Sequence, residues 1–420
     1  MVIKNHPSIY FVYSVLSQNK KMAMPDALIY LDNNATTPCD PRVVEAMLPY
    51  FYEKPGNAAR RNHPFGWMAD EAVKQAREQV AQLIQADPRE VIFTSGATES
   101  DNLALKGVFE LYRRKGAHLI TVKTEHKAVL DACAHIEKMG GEVTYLDVDP
   151  DGLISLEALE AAIRPDTILV SVMWANNETG VIQPMKAIGD ICDKHGVLLM
   201  SDATQAVGKI PAIPKAAGVH LMAFTAHKMH GPKGVGALYV CRRQPRVKVA
   251  PQIDGGGHEQ GMRSGTLNVP AIVGFGKAAE LAVQEMEKEA QRLRRLRDKL
   301  EKALLERVEE ASINGSREHR LGHVANIAFR HAEAEGVMMT FNQRVALSSG
   351  SACTSASVEP SHVLIAMGRS GELAHSSLRF SLGRFNTEKE LDDAIEAVIR
   401  GVGKVRSMSP VWELFKEGIL

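Results

Sequence analysis

Three residues with chemically useful side chains follow one short apolar run in the middle of the chain. Residues 221–224 read as a strand, and Thr225, His227 and Lys228 come directly after it, before a turn rich in glycine and proline. In open α/β sheets, ligands bind just beyond the carboxyl ends of the strands. A lysine in that place can form a Schiff base with a carbonyl compound, whereas the alternative is a solvated loop lysine without chemistry.

Other apolar runs in the chain also end in polar residues that could serve a ligand. Eight side chains of this kind follow predicted strands: Thr98, His126, Asn177, Asp202, Gln205, Thr225, His227 and Lys228. One such residue means little by itself, because loops on a protein surface are commonly polar. Eight of them at the ends of neighbouring strands predict a binding site along one edge of a sheet.

The segment around Thr98 has the composition of an anion-binding turn. A buried strand at residues 91–94 leads into Ser95, Gly96, Ala97 and Thr98, and a helix follows. Such a turn directs backbone N–H groups and a helix dipole at an anion. It is not a Walker loop, because the Gly-Lys-Ser/Thr ending is absent. A plain strand-to-helix turn with a capping box is the alternative.

The elements that carry these residues alternate between strand and helix from residue 91 to residue 240. This alternation predicts an α/β fold, with a mostly parallel sheet that is covered on both faces. Beyond residue 255 the pattern changes, and the strongly helical residues 277–310 open a smaller α+β domain. Strands near residues 325–329 and 377–382 belong to that second domain. A chain of 420 residues is long enough for two domains.

The composition favours a small molecule as the ligand. Hydrophobic residues make up 45% and charged residues 24% of the chain, as in a globular protein. Lys plus Arg and Asp plus Glu number 50 each, so no net charge favours nucleic acid or a membrane surface as a partner. No apolar run is long enough to span a membrane. The cysteines lack metal-site spacing and predict reduced thiols in a cytoplasmic protein: Cys39, Cys133, Cys192, Cys241 and Cys353.

Pyridoxal 5′-phosphate is a cofactor whose chemical requirements these residues meet. Lys228 can form the Schiff base, and Asp202 can keep the pyridine nitrogen protonated so that the ring accepts electrons. His126 offers a flat group that can stack on the ring. The remaining requirements are met by Ala97, Thr98, Thr225 and His227 for the phosphate, and by Gln205 and Asn177 for the phenolic oxygen.

Nine segments carry a resemblance to one enzyme family. They are LDNNATTP, FTSGATESDNLALKG, KTEHKAVLD, NNETGVIQP, DATQAVGK, AHKMHGPKGVGALYV, GGGHEQGMRSGT, SSGSACTSAS and AHSSLRFSLGRF. The chain resembles the cysteine desulfurases of the fold-type-I pyridoxal-phosphate superfamily, and among them the housekeeping branch (group I) that serves iron–sulfur cluster assembly. The matching segments span residues 29 to about 415. SSGSACTSAS marks the subgroup with the longer catalytic-cysteine loop.

The resemblance implies a role for each candidate residue. Lys228 would bind the cofactor covalently, His126 would stack on its ring and act as acid and base, and Asp202 would pair with the pyridine nitrogen. The other implied roles are Gln205 at the phenolic oxygen, Thr98, Thr225 and His227 at the phosphate together with Thr266 from the second subunit, Asn177 and Arg379 at the substrate carboxylate, and Cys353 as the nucleophile. No resident metal is expected, although Cys353 could ligate a transient iron–sulfur cluster.

The resemblance also implies a fold and its domain boundaries. We expect a large domain with a mostly parallel seven-stranded sheet at residues 37–280. A smaller α+β domain would be formed by residues 29–36 and 281–420, and it would carry the catalytic-cysteine loop at about residues 346–358. Residues 1–28 would form a disordered leader.

The implied reaction converts L-cysteine to L-alanine and leaves the sulfur as a persulfide on Cys353. The implied partners are L-cysteine, a second copy of the chain, an iron–sulfur scaffold protein and other sulfur acceptors. Two kinds of alternative stay open: another pyridoxal-phosphate enzyme, such as a selenocysteine lyase or an aminotransferase, and a non-catalytic sulfur-relay protein that keeps only the fold. A yellow colour and the release of alanine from L-cysteine would separate these alternatives.

Overall fold

The computed structural model describes residues 28–349 and 359–419. Residues 1–27, which hold nearly all of the expected leader, lie outside this range, and so do residues 350–358, which include Cys353, and residue 420. In chain order, the strands within the described range are β1 (Ile29–Tyr30), β2 (Val91–Thr94), β3 (His118–Val122), β4 (Glu142–Leu146), β5 (Thr167–Ser171), β6 (Leu198–Asp202), β7 (Leu221–Thr225), β8 (Gly236–Val240), β9 (Ala311–Ile313), β10 (Val324–Phe329), β11 (Val345–Ala346), β12 (Ser348–Ser349) and β13 (Ser377–Ser381).

The helices alternate with these strands over the first half of the chain. In the described range they are α1 (Pro41–Met47), α2 (Pro49–Tyr52), α3 (Pro64–Leu83), α4 (Ala97–Tyr112), α5 (Lys127–Lys138), α6 (Leu156–Ala162), α7 (Met185–His195), α8 (Val269–Arg307), α9 (Ala334–Met339), α10 (His362–Ala366), α11 (Gly371–His375), α12 (Glu388–Ser407) and α13 (Pro410–Lys416). None of these helices is both long enough and apolar enough to cross a membrane.

Proline explains one difference from the sequence pattern. Residues 41–51 predict a single helix, but the structure divides them into α1 and α2 at Leu48. Pro49 has no N–H group, so it cannot continue the hydrogen-bond ladder of α1. The predicted helix at residues 277–310 also starts earlier, at Val269, because Asn268 caps it by accepting a hydrogen bond from the Ala271 N–H.

The central sheet has seven strands in the order β2-β8-β7-β6-β5-β3-β4. Every neighbouring pair is parallel except the two pairs that involve β8, so six strands point the same way. Strands such as β7 are buried along their whole length, because both faces of the sheet are covered. The predicted α/β fold is thereby confirmed, and the carboxyl ends of six strands meet at one edge.

Two hydrophobic cores share one long helix. The first core surrounds the seven-stranded sheet, and the second packs around a four-stranded antiparallel sheet in the order β12-β13-β10-β9. Helix α8 has 39 residues and contributes Phe275 to the first core and Leu293 and Leu300 to the second. We propose that the boundary between residues 37–280 and residues 281–420 lies inside this continuous helix.

The segment that follows Leu28 runs from the small domain to the edge of the central sheet. Strand β1 pairs with β11 in parallel, and Asp32 forms an isolated bridge with Ser381 of β13. The side chain of Leu31 belongs to the second core, whereas the Thr37 hydroxyl donates to the His227 carbonyl at 2.9 Å. We propose that residues 29–36 belong to the small domain and extend over the edge of the sheet where six strands end.

Candidate active site

A cavity of about 630 Å³ lies at the edge of the sheet where six strands end. Most of the residues predicted from the strand ends line it together: Ala97, Thr98, His126, Asn177, Asp202, Gln205, Thr225, His227 and Lys228, joined by Arg379 of the small domain. Thr266 is exposed and is not among the residues that line this cavity in its own chain. Cys353 lies outside the described residues.

Lys228 reaches the cavity from a 3-10 turn, Ala226–Lys228, that follows β7. The chain folds back tightly here, because a Cβ atom at Gly231 would lie 2.8 Å from the Ala226 side chain. The Lys228 Nζ donates to the backbone carbonyls of Asn34 at 2.5 Å and Ala35 at 2.7 Å. The segment that follows β1 therefore holds this amine in place from the opposite side of the cavity.

Asp202 is the last residue of β6, the neighbour of β7 in the sheet, and is 5% exposed. Its Oδ1 accepts a hydrogen bond from the Thr204 N–H at 2.9 Å, which fixes the carboxylate at the cavity wall. A buried carboxylate on the strand next to Lys228 is suited to hold a protonated ring nitrogen.

Two further buried carboxyl groups near Asp202 were not predicted from the sequence. Asp101 of α4 lines the cavity, and both of its carboxyl oxygens are buried without a hydrogen-bond partner among the described residues. Glu125, which precedes α5, accepts a hydrogen bond from the Met173 N–H. Burial, followed by the charges of Asp202 and Glu125, raises the pKa of Asp101 well above its usual value. Burial and then the charge of Asp202 do the same to the pKa of Glu125, so the site favours the neutral, protonated form of both carboxyl groups.

The start of α4 forms the end of the cavity that suits an anion. No side chain of the described chain caps this helix after Gly96, so its first N–H groups are left for a ligand. Strand β8 approaches the turn closely, since a Cβ atom at Gly236 would lie 2.7 Å from Gly96. The next side chain, Glu99, also lines the cavity, and its carboxylate accepts a hydrogen bond from the Ser95 N–H at 2.8 Å and pairs with Arg263 at 2.7 Å.

Two residues next to Lys228 add polar groups to this end. The His227 Nδ1 lies 3.1 Å from the Thr36 hydroxyl, and burial, followed by the charge of Lys228, lowers the pKa of His227 to about 4. The imidazole is therefore neutral, and its Nε2–H can donate to an anion when Nδ1 accepts from Thr36. The Thr225 hydroxyl donates to the Val235 carbonyl at 2.9 Å.

His126 is fixed by its position as the N-cap of α5. Its Nδ1 accepts a hydrogen bond from the Ala128 N–H at 3.1 Å. A ring nitrogen that accepts a hydrogen bond carries no proton, so the proton of the neutral ring is on Nε2. The cap thus sets both the orientation and the tautomer of an imidazole that lines the cavity.

Arg379 brings a guanidinium from β13 of the small domain, with a side chain that is 3% exposed. Its Nη2 pairs with Asp32 Oδ1 at 2.7 Å, and its Nη1 donates to the Asn177 carbonyl at 3.1 Å. Its Nε is buried and has no partner in the described part of the chain. A buried cationic donor without an acceptor is costly, and a substrate carboxylate in the cavity could supply that acceptor.

Asn34 connects these groups, although the sequence analysis assigned it no role. Its carbonyl accepts hydrogen bonds from Lys228 and from the Gln205 Nε2 at 3.0 Å, and its Nδ2 donates to the Asn177 carbonyl at 3.0 Å. Its N–H donates to the Ser381 hydroxyl at 2.9 Å. One residue, 1% exposed, therefore links Lys228, Gln205 and Asn177 to the small domain.

Most of the chain matches one family model, and close relatives cover nearly all of it. The aminotransferase class-V model matches residues 29–393. The cysteine desulfurase IscS of Photorhabdus laumondii is 56% identical over 393 residues, which are 93% of this chain and 96% of the relative. The chain belongs to the aminotransferase class-V family, in its cysteine desulfurase branch.

Two solved structures have the same fold as this desulfurase. A NifS-like protein has a TM-score of 0.83 and 38% identity, over 89% of this chain and 99% of that one. The structure of SspA in complex with cysteine has a TM-score of 0.75 and 36% identity, over 86% of this chain and 100% of that one. The predicted pyridoxal-phosphate cofactor and desulfurase activity are thereby confirmed. The roles of single residues stay predictions.

The described residues fit the cofactor. The cavity holds a lysine, a buried carboxylate on the adjacent strand and a helix N-terminus without a side-chain cap. These are a covalent anchor, a partner for a protonated pyridine nitrogen and a phosphate site, in that order. The buried Nε of Arg379, which lacks an acceptor among the described residues, is left for the substrate.

Proposed function

We propose that this protein transfers the sulfur of L-cysteine to the Cys353 thiol and releases L-alanine, in the service of iron–sulfur cluster assembly and other sulfur acceptors. The observation that carries the proposal is the meeting of Lys228, Asp202 and Arg379 at one cavity. Together they provide an amine that binds a carbonyl, a partner for a ring nitrogen and a cation for an amino-acid carboxylate. The solved SspA structure contains cysteine, which agrees with this choice of substrate.

Different residues of the cavity would bind different parts of pyridoxal phosphate. Lys228 would anchor it, Asp202 would face its ring nitrogen, His126 would stack on the ring, and Gln205 would reach its phenolic oxygen. The phosphate would lie at the start of α4, with Ala97, Thr98, Thr225 and His227 around it. When bound, the protonated ring draws electrons away from the substrate carbon that is attached through nitrogen.

The protein groups would move the protons of the reaction. Lys228, once released from the cofactor, is an amine at the cavity wall that can take the proton from the substrate Cα. The His126 Nε2–H can donate a proton on the same side, because Nδ1 is committed to α5. Asn177 and the Arg379 Nε, which has no partner within residues 28–349 and 359–419, would hold the substrate carboxylate, which fixes the Cα–H bond relative to Lys228.

The sulfur step exchanges one bond for another. The Cys353 thiolate attacks the substrate sulfur, an S–S bond forms, and the Cβ–S bond breaks with its electron pair left on Cβ. Protonation of that carbon gives the methyl group of alanine. L-Cysteine and a thiol therefore give L-alanine and a persulfide, with no external oxidant or reductant. Cys353 takes this role from the resemblance of its SSGSACTSAS segment, and residues 350–357 of that segment, which include Cys353, lie outside the described residues.

We propose a homodimer on two grounds. Thr266 is exposed and is absent from the lining of its own cavity, so its implied phosphate contact requires a second copy of the chain. Large apolar side chains are also exposed close together in the sequence, on α1 to α3 and their connections: Val44, Leu48, Phe51, Tyr52, Phe65 and Trp67. Large apolar side chains left exposed in this number are typical of an interface between subunits.

The remaining partners follow from the proposed chemistry. A persulfide must be handed to an acceptor, so we propose an iron–sulfur scaffold protein and other sulfur acceptors as partners, and Cys353 as a ligand of a transient cluster during transfer. Nucleic acid and membranes are not proposed, since the chain has no net charge. We place the protein in the cytoplasm, where the free thiols of the four described cysteines would stay reduced.

The test of this function is the product and the place of the sulfur. Purified protein with L-cysteine should release alanine, and a persulfide-specific label should mark Cys353. Cys353→Ser should keep the colour of the bound cofactor but lose nearly all alanine release and labelling, because a hydroxyl is a poor nucleophile towards sulfur. Cys39→Ser is the matched control, since this thiol lies outside the cavity.

Other outcomes would point to the alternatives. Alanine release at the wild-type rate from Cys353→Ser would mean that sulfur leaves without a protein persulfide, as in a selenocysteine lyase. A need for a keto acid would indicate an aminotransferase. A colourless wild-type protein that never releases alanine would leave only the sulfur-relay function.

A further inference from the structure

A second lysine, Lys209, lies close to Lys228. The two lysines share a smaller cavity of about 90 Å³, with room for a few water molecules, on the side of the small domain. The Lys209 Nζ is 3.0 Å from the Gln205 Oε1, 3.0 Å from the His323 Nε2 and 3.5 Å from the Asn34 Oδ1. Asn34 also accepts from Lys228, so a single residue separates the two amines.

The surroundings of Lys209 can hold it with or without its proton. As an ammonium it has three N–H donors, and Gln205, Asn34 and the His323 Nε2 offer three acceptors. As a neutral amine, Lys209 has two N–H donors and one lone pair. The lone pair can accept a hydrogen bond from His323 when the ring proton is on Nε2, and in this tautomer the Nε2–H can instead donate to the Asn34 Oδ1 at 3.1 Å. Burial, followed by the charge of Lys209, lowers the pKa of His323 well below its usual value, so this ring is neutral in either state. Lys209 can therefore gain or lose its proton without movement of heavy atoms.

The charges that face Lys209 favour the loss of its proton. Burial comes first, then the charges of Lys228 and Arg379, and together these outweigh the attraction of Glu289 on α8. That carboxylate is itself paired with Arg384 at 2.8 Å. The pKa of Lys209 is lowered to about 7.

Three other titratable or charged side chains line the small cavity, and two of them have partners of their own. Arg320 forms an ion pair with Glu301. His230 is 3.8 Å from Glu289, and its pKa is lowered to about 4, chiefly by burial, so it is neutral. The third, Arg294, stands on α8.

We propose that Lys209 and Lys228 form a coupled pair that holds one positive charge between them near neutral pH, so that the Lys228 amine releases its proton more readily while Lys209 is charged. Two like charges close together in a buried site are not both maintained, as in the carboxyl pairs that share one proton. The inference rests on the proposed function, which requires Lys228 to remove a proton at neutral pH. Lys209 is a positioning residue in this account, since it acts on Lys228 and not on the substrate.

The test measures Lys228 directly in full-length protein. Lys209→Met removes the charge and keeps the length of the side chain, so it should raise the pKa of Lys228 by about one unit. The pH midpoint of the visible absorption of the lysine-bound cofactor should move upwards by the same amount. After removal of the cofactor, competitive isotopic acetylation followed by mass spectrometry should show the same shift in the reactivity of Lys228.

Two variants make the result decisive. Lys209→Arg carries a permanent charge and should leave the midpoint at or below its wild-type value, and Lys215→Met is a control for the loss of a lysine elsewhere. A Lys209→Met protein with an unshifted midpoint, or equal shifts in Lys209→Met and Lys209→Arg, would overturn the proposal and leave Lys209 as a support for Gln205. The acetylation measurement does not depend on turnover, so it decides the matter even if no alanine is released.

Discussion

Two clusters of titratable side chains around the candidate active site, an acidic wall and a basic wall, handle buried charge in opposite ways. Asp101, Asp202, Lys228 and Arg379 line the larger cavity, Lys209 and His323 line the smaller one together with Lys228, and Glu125 lines neither. The acidic wall consists of Asp101, Glu125 and Asp202, and oxygens of Asp101 and Glu125 are buried without a hydrogen-bond partner among the described residues. The basic wall consists of Lys209, Lys228, His323 and Arg379. There the amines have short contacts to carbonyl oxygens, amide oxygens or a ring nitrogen.

The difference follows from what each wall must do. A neutral acid can stay buried at modest cost, so Asp101 and Glu125 can flank Asp202 without adding charge beside it. An ammonium cannot be buried without acceptors, and Lys228 must exist both with and without a proton. The basic wall therefore needs hydrogen bonds that remain when Lys228 loses its proton. The acidic wall needs only the constant negative charge of Asp202.

The largest effect on turnover is expected from Lys228, the residue of the basic wall that takes part directly in the reaction. Lys228→Ala removes both the covalent anchor and the base, so turnover should fall by at least about 10³-fold. Visible absorption from the lysine-bound cofactor should disappear from the purified protein. Measurable alanine release at more than a trace of the wild-type rate would show that another residue is the base.

The next largest effect on kcat should come from replacing Asp202, the carboxylate of the acidic wall that faces the ring nitrogen in our proposal. Asp202→Asn replaces a carboxylate by an amide that cannot hold a proton on the ring nitrogen, so kcat should fall by about 100-fold or more. Cofactor should still bind, because Lys228 and the start of α4 are unchanged. A near-normal kcat would mean that Asp101 or Glu125 carries the charge instead.

A smaller effect, on the pH dependence of protein stability, should come from Asp101. Its folded-state pKa is raised, so the folded protein binds a proton that the unfolded chain releases, and stability falls as pH rises above the unfolded pKa near 4. The loss is at most about 1.4 kcal/mol per pH unit. Asp101→Asn has no such proton, so its thermal midpoint should rise relative to the wild type between about pH 5 and pH 8. Parallel curves for the two proteins would contradict a buried neutral Asp101.

The smallest effect is expected from His323 on the basic wall. His323→Gln keeps an acceptor for Lys209, and the native ring is already neutral at neutral pH, so kcat should change by less than about threefold. The pH profile of kcat/KM should keep its shape above about pH 6. A lost acidic limb in this variant would show that the histidine itself titrates during turnover.

Sequence reasoning found the acidic and basic residues that end strands, and it failed for those that do not. Asp202 and Lys228 follow apolar runs, so their place at the sheet edge could be predicted from neighbours in sequence. Asp101 lies on α4 among Leu105 and Val108, on the buried face of the helix. Asp101, Leu105 and Val108 occupy positions i, i+4 and i+7, which lie on one face of a helix. This spacing indicates that the carboxyl group of Asp101 lies on the buried face.

No local signal could have predicted the contacts that the rest of the basic wall makes around Lys228. Asn34 reaches Lys228 across 194 positions, and Lys209 reaches His323 across 114. The LDNNATTP segment matches the family, but its carbonyls and its amide acquire a role only when β1 pairs with β11 and carries the segment over the sheet edge. Arg379 was assigned through the resemblance as well, and its contact with Asp32 depends on the packing of β13.

The sequence by itself determined the alternation of strands and helices, the polar residues at the strand ends and the family, because each of these depends on neighbouring residues or on motifs read directly. The tertiary structure decided which of those residues share a cavity and which charges face one another. Burial and distance between remote segments set the pKa values of Asp101, His227 and Lys209, and a linear sequence contains neither quantity.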